Sequence, residues 1–196
     1  MLEVTGGSFW KPYASKISTS ANGEHKSGTG ASGDTPAGMN PDAYSYRTPI
    51  DLSNTRRRKL AAVLGPAYVR VSGTWANTTY FADSDQPPTR PPPGFNGVLT
   101  RQQWKGVVDF ANAVNARIVT SFATSPGTRD SAGVWTPDQA RRFLGYTKSI
   151  GGNIAAAEFM NEPDMAIMGG APAGYAAAAY GRDFKVRKYN DYARAS

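Results

Sequence analysis

Asn153-Ile-Ala-Ala-Ala-Glu-Phe-Met-Asn161, running straight into Glu162-Pro163, is the stretch that decides the fold. It is short and mostly apolar, with Gly151-Gly152 before it and a proline behind it. That pattern suits a strand buried in a parallel sheet better than a solvent-facing helix. Pro163 has no N–H for a strand ladder, so Glu162 is expected at the strand's carboxyl-terminal mouth. In parallel α/β folds functional side chains gather at that mouth.

Outward from this strand the same unit recurs. Strands are expected from Leu2 to Thr5, Ala67 to Val71 and Arg117 to Phe122. Between them lie helical patterns. One follows a Ser53 cap through Leu60, Val63 and Leu64, and Gly65-Pro66 stops it. The next opens on the capping box Thr100-Arg-Gln-Gln103 and carries Trp104, Val107, Val108, Ala111 and Val114 on one stripe. A third opens on Thr136-Pro137-Asp-Gln139 and carries Phe143, Leu144 and Ile150. A last helix is expected from about Tyr175 to Ala195. Alternating strands and helices predict an α/β fold of the (β/α)8 TIM-barrel type, residues 1–196 being a partial catalytic domain that supplies the first four βα units.

Connections after helices are short, whereas those after strands are long, notably the Gly/Ser-rich loop 11–49 and the Pro-rich loop 83–97. All elaboration therefore falls on one face, where Trp10, Trp75, Asn77, Thr124, Asn161 and Glu162 are expected to converge.

Composition narrows the classes. With 196 residues, 40% of them hydrophobic, the chain can bury one substantial core. It has no cysteine, which excludes a disulfide framework and a thiolate nucleophile. No cofactor or metal is expected, and the lone His25 is read as exposed filler. No apolar run approaches the roughly 18 residues of a membrane span, and Met1-Leu-Glu-Val-Thr5 has neither the basic start nor the apolar centre of a signal peptide. The net charge of +7 invites a polyanionic partner. Its densest run, Arg56-Arg57-Arg58-Lys59, reads as the solvated face of a helix, and without a recognition motif no nucleic acid is expected.

The chemistry converges on strand four. Glycosidic cleavage needs one carboxyl group to protonate the departing oxygen and a second carboxylate to attack or to activate water. Glu162, beside Trp75, Phe122 and Phe159, fits the first role, and Asn161 is placed to bond a sugar hydroxyl. Trp75 is expected to offer a stacking surface for a sugar ring. Strand period puts Glu158, Met160 and Glu162 on one side, so Glu158 would face inward and need a partner; Arg70 on the second strand is the expected one.

Two segments, Leu64-Gly-Pro-Ala-Tyr-Val-Arg-Val-Ser-Gly-Thr74 and Glu158-Phe-Met-Asn-Glu-Pro163, in this order and spacing, resemble the second and fourth barrel strands of the heparanase-like glycoside hydrolases of family 79. The resemblance implies a retaining TIM-barrel enzyme acting on β-linked uronic-acid glycosides such as β-glucuronides. It implies Glu162 as acid/base, Asn161 as its neighbour on the substrate and Thr74 lining the same subsite, in a secreted or periplasmic setting. Two departures stand out. Gly6-Gly7 replaces the Ile-Asp pair of animal heparanases. The family's nucleophilic glutamate lies on a later strand, ahead of a β-sandwich domain, so these four units alone are expected to be inactive. The competing expectation is a noncatalytic carbohydrate- or polyanion-binding module.

Overall fold

The computed structural model describes residues 1–10, 44–166 and 169–192. Twelve elements follow in order: α1 (Leu2–Thr5), β1 (Gly7–Trp10), β2 (Tyr44–Arg47), α2 (Thr55–Ala62), β3 (Ala67–Val71), β4 (Thr79–Ala82), β5 (Gly97–Thr100), α3 (Arg101–Ala113), β6 (Ala116–Ser121), α4 (Asp138–Ser149), β7 (Ile154–Glu158) and α5 (Ala177–Tyr192). The fold is α/β, with a parallel sheet in the order β3-β6-β7; α4 follows β6 and α5 follows β7, whereas β4 and β5 intervene between β3 and α3.

β6 is the central strand. Its Ile118 and Thr120 are buried under α3, whose stripe Trp104, Val107, Val108 and Ala111 is as expected from the sequence. Each valine so buried contributes about 1.5–3 kcal/mol. The Thr100 capping box forms in full: Gln103 N–H donates to the Thr100 hydroxyl, and Thr100 N–H to the Gln103 side chain. Trp104 Nε1 donates to Thr147 Oγ1 at 2.7 Å and its ring packs 4.4 Å from Phe143, which joins α3 to α4.

Other expectations fail for definite reasons. Leu2–Thr5 is a helical turn, not a strand, so the sheet has three strands where four were expected. Met1 and Val4, three apart, are the pair it buries, and over four residues helical and strand periods cannot be separated. The cap of α2 is Asn54, which accepts from Arg57 N–H; Ser53 instead bonds Asp51. Leu60, Val63 and Leu64 are 65%, 82% and 75% exposed, because no described element covers that side of α2. The second expected capping box does not form. Thr136 donates to Thr128 O, Gln139 accepts from Phe81 N–H, and Pro137 takes the cap position.

The long loop is also shorter than read. Residues 44–47 pair antiparallel with β1, and residues 11–43, with His25, lie outside the described residues, as does the Trp10 side chain. The Pro-rich segment is clasped at its ends by a parallel pair, β4 with β5, so Gly97 belongs to a strand. Among the described residues no helix is long and apolar enough to cross a membrane.

Candidate active site

β7 ends at Glu158, and the chain then turns. Phe159, Met160 and Asn161 are buried, whereas Glu162 is exposed. Strand alternation therefore does not carry from Glu158 to Glu162, contrary to the sequence reading. Glu162 adopts the left-handed conformation, φ 47° and ψ 65°, ahead of the short 3-10 turn Pro163–Met165. A residue with a Cβ held there costs about 1–3 kcal/mol and persists only when its surroundings impose it.

Those surroundings are specific. Thr74 Oγ1 donates to Glu162 Oε2 at 2.8 Å and Asn161 Nδ2 donates to the same oxygen at 3.0 Å. Asn161 is itself held from three directions. Its N–H donates to Asn77 Oδ1 at 3.0 Å, its carbonyl accepts from Asn77 Nδ2 at 2.9 Å, and its Oδ1 accepts from Arg70 Nη2 at 2.8 Å. Asn77 thus acts on Asn161 as a neighbouring strand's peptide would. Its own carbonyl accepts from Thr124 N–H and Ser125 N–H, so the ends of β3, β6 and β7 are tied together at one buried residue.

Arg70 and Glu158 form the pair expected of them. Arg70 Nε donates to Glu158 Oε1 at 3.1 Å and Nη2 to Oε2 at 2.8 Å. The side chains are 50% and 39% exposed, on the open face of the sheet. The hydrogen bond from Arg70 lowers the Glu158 carboxyl below its ordinary value despite partial burial, with smaller help from the guanidinium charge and Ser72. Arg70 is raised in return, chiefly by the same bond.

The structure corrects the expected cast at three points. Asn77 was expected to face substrate but is fully buried, both arms of its amide engaged by Asn161. Phe122 and Phe159 do not line Glu162: both are core residues, Phe159 packing on Trp135, Tyr180 and Phe184. Thr124 is buried beside Asn77, away from the open face. Trp75 is half-buried in the 3-10 turn Thr74–Thr78.

Sequence reading missed the buried cluster behind the site. Asp183, fully buried on α5, accepts from Arg129 Nη1 at 2.6 Å, Tyr175 Oη at 2.9 Å, Arg182 Nε at 3.0 Å and Trp135 N–H at 3.3 Å. Burial pushes its carboxyl up, but these bonds outweigh it and the net direction is down. Burial, then the hydrogen bond to Asp183, push the Tyr175 phenol up to about 12. Arg129 Nη2 also donates to Thr124 O, so the cluster braces the loop that Asn77 grips. The signal was available: Asp183 follows Tyr180 at helical spacing, a carboxylate on an apolar stripe.

Pro163, Asp164, Met165 and Ala166 line a cleft of about 660 Å3 with Tyr175, Ala176, Ala177 and Tyr180, within the size range of small-molecule sites. Among the described residues no cluster of three His, Cys, Asp or Glu side chains is placed to hold a metal ion. The chain matches no known protein-family model, and no curated protein is detectably similar to it.

Proposed function

We infer that the protein is a glycoside hydrolase in which Glu162 is the general acid/base, the three βα units forming part of a (β/α)8 barrel of the heparanase-like kind. The observation that carries this reading is one exposed carboxyl group at the carboxyl-terminal end of a parallel sheet, gripped at a single oxygen by Thr74 and Asn161. A group so held is oriented toward a ligand on the open face, as proton transfer requires. The substrate class is a β-linked uronic-acid glycoside, a choice motivated by the sequence resemblance.

Double-displacement hydrolysis needs a second carboxylate about 5 Å from the first. Glu158 does not serve, because both of its oxygens are engaged by Arg70. The attacking carboxylate is therefore expected from outside the described residues. Commitment of Glu158 also favours the second reading, a carbohydrate-binding module without turnover.

One experiment separates the two. In the full-length gene product, Glu162→Gln is expected to lower hydrolysis of an alkyl β-glucuronide, whose departing oxygen must be protonated, by about 10²–10⁴-fold while binding of the glycan persists. Equal behaviour of variant and wild type would reject the hydrolase reading.

A further inference from the structure

We propose that Thr74 is a positioning residue that divides the labour of the two Glu162 oxygens, Oε2 being the anchored oxygen and Oε1 the one that delivers the proton. This role rests on the hydrolase reading. Both donors, Thr74 Oγ1 at 2.8 Å and Asn161 Nδ2 at 3.0 Å, reach Oε2. Among the described residues none donates to Oε1, and Glu162 lies on the exposed face.

The asymmetry is enforced from below. Asn161 Nδ2 also lies 3.4 Å from Thr74 Oγ1, so that hydroxyl accepts from the amide while spending its single proton on Oε2. The amide cannot flip to present oxygen instead, since Arg70 Nη2 already donates to Asn161 Oδ1 at 2.8 Å. Polarity is therefore fixed along Arg70, Asn161 and Oε2. With Oε2 saturated by donors, an added proton resides on Oε1, the oxygen open to solvent and substrate.

In the first step the Oε1–H bond breaks, and its proton goes to the departing glycosidic oxygen. That oxygen takes the electron pair of the breaking bond to the anomeric carbon, which is captured by the attacking carboxylate or water. The negative charge left on Glu162 develops against two donors already in place, which is the arrangement that lowers a barrier without reorganisation. Thr74 thereby acts through Glu162 and not on the sugar, unlike the subsite role that the resemblance assigns it.

The test uses the full-length gene product and aryl and alkyl β-glucuronides graded by leaving-group basicity. Thr74→Val, close in shape, is expected to lower kcat/KM about 10- to 100-fold on the alkyl glycoside, which needs the acid, and little on the 2,4-dinitrophenyl glycoside, which does not. Thr74→Ser keeps the hydroxyl and is expected to restore the alkyl rate. An equal loss on both substrates, or a rise in KM alone, would instead make Thr74 a substrate contact and overturn the positioning role while leaving the hydrolase reading intact. If wild type and Glu162→Gln are alike on every glycoside, the hydrolase reading falls first and this role with it.

Discussion

Replacing Asn77 by aspartate changes one atom of a buried side chain, and its consequence can be worked from two distances. Asn77 accepts from Asn161 N–H at 3.0 Å and donates to Asn161 O at 2.9 Å. In Asn77→Asp the acceptor remains, while the donor becomes an oxygen facing a carbonyl oxygen. A buried carbonyl left unsatisfied costs about 1–3 kcal/mol. A carboxylate in a fully buried position adds desolvation, and the sum at pH 7.5 is about 3–5 kcal/mol. Protonated, the introduced carboxyl can donate to Asn161 O, and most of the loss is recovered. Burial and that bond both favour the neutral form, so its folded pKa lies above the unfolded value of about 3.9. The deficit is then smallest near pH 4 and grows as pH rises through the folded value. Urea denaturation from pH 4 to 8, followed by circular dichroism against wild type, measures this directly. Asn77→Leu, with both bonds gone and no charge, is the control whose deficit stays flat with pH. A pH-independent deficit for Asn77→Asp, or one below about 1 kcal/mol at pH 7.5, would refute the clamp.

Two further outcomes are expected. Asp183→Asn leaves Arg129, only 5% exposed, without its carboxylate and is expected to cost about 3–5 kcal/mol, lowering Tm by about 10 °C; Arg129→Met combined with Asp183→Leu is expected to recover much of that, and a single-variant cost under about 1 kcal/mol in thermal melts would show the cluster is not a brace. Glu158→Gln is expected to cost only about 0.5–1 kcal/mol, because the pair with Arg70 is half exposed. Since Glu158 is depressed in the fold, its contribution is present above the ordinary glutamate value of 4.5 and lost as pH falls through the lowered one; a wild-type minus variant difference that grows toward low pH would contradict this.

Parts of the fold and of the site differed in how far they could be read ahead. Local signals were sufficient where a side chain answers to its own neighbours: the Thr100 box needs only residues 100–103, and the α3 stripe follows from 3.6-residue spacing. The Arg70–Glu158 pairing was legible from a carboxylate on one strand and a cation on another, but the burial expected to demand it was not found, since both side chains lie on the open face. The Thr136–Gln139 box failed because Phe81 N–H, distant in sequence, competes for the glutamine oxygen. The α2 stripe was read as core from its apolarity, but burial needs a covering element, and apolarity alone does not supply one.

By itself, the sequence determined an α/β chain with parallel strands, because period acts within a few residues, but it carried the last strand on to Asn161, whereas β7 ends at Glu158 and Glu162 follows four residues later in a turn. Tertiary structure alone decided that Asn77 is buried and grips Asn161, that Phe122 and Phe159 serve the core, and that Asp183 finds Arg129. Those roles depend on partners 54 or 84 positions away, and a hydrogen bond's worth is set by the burial that the whole fold creates around it.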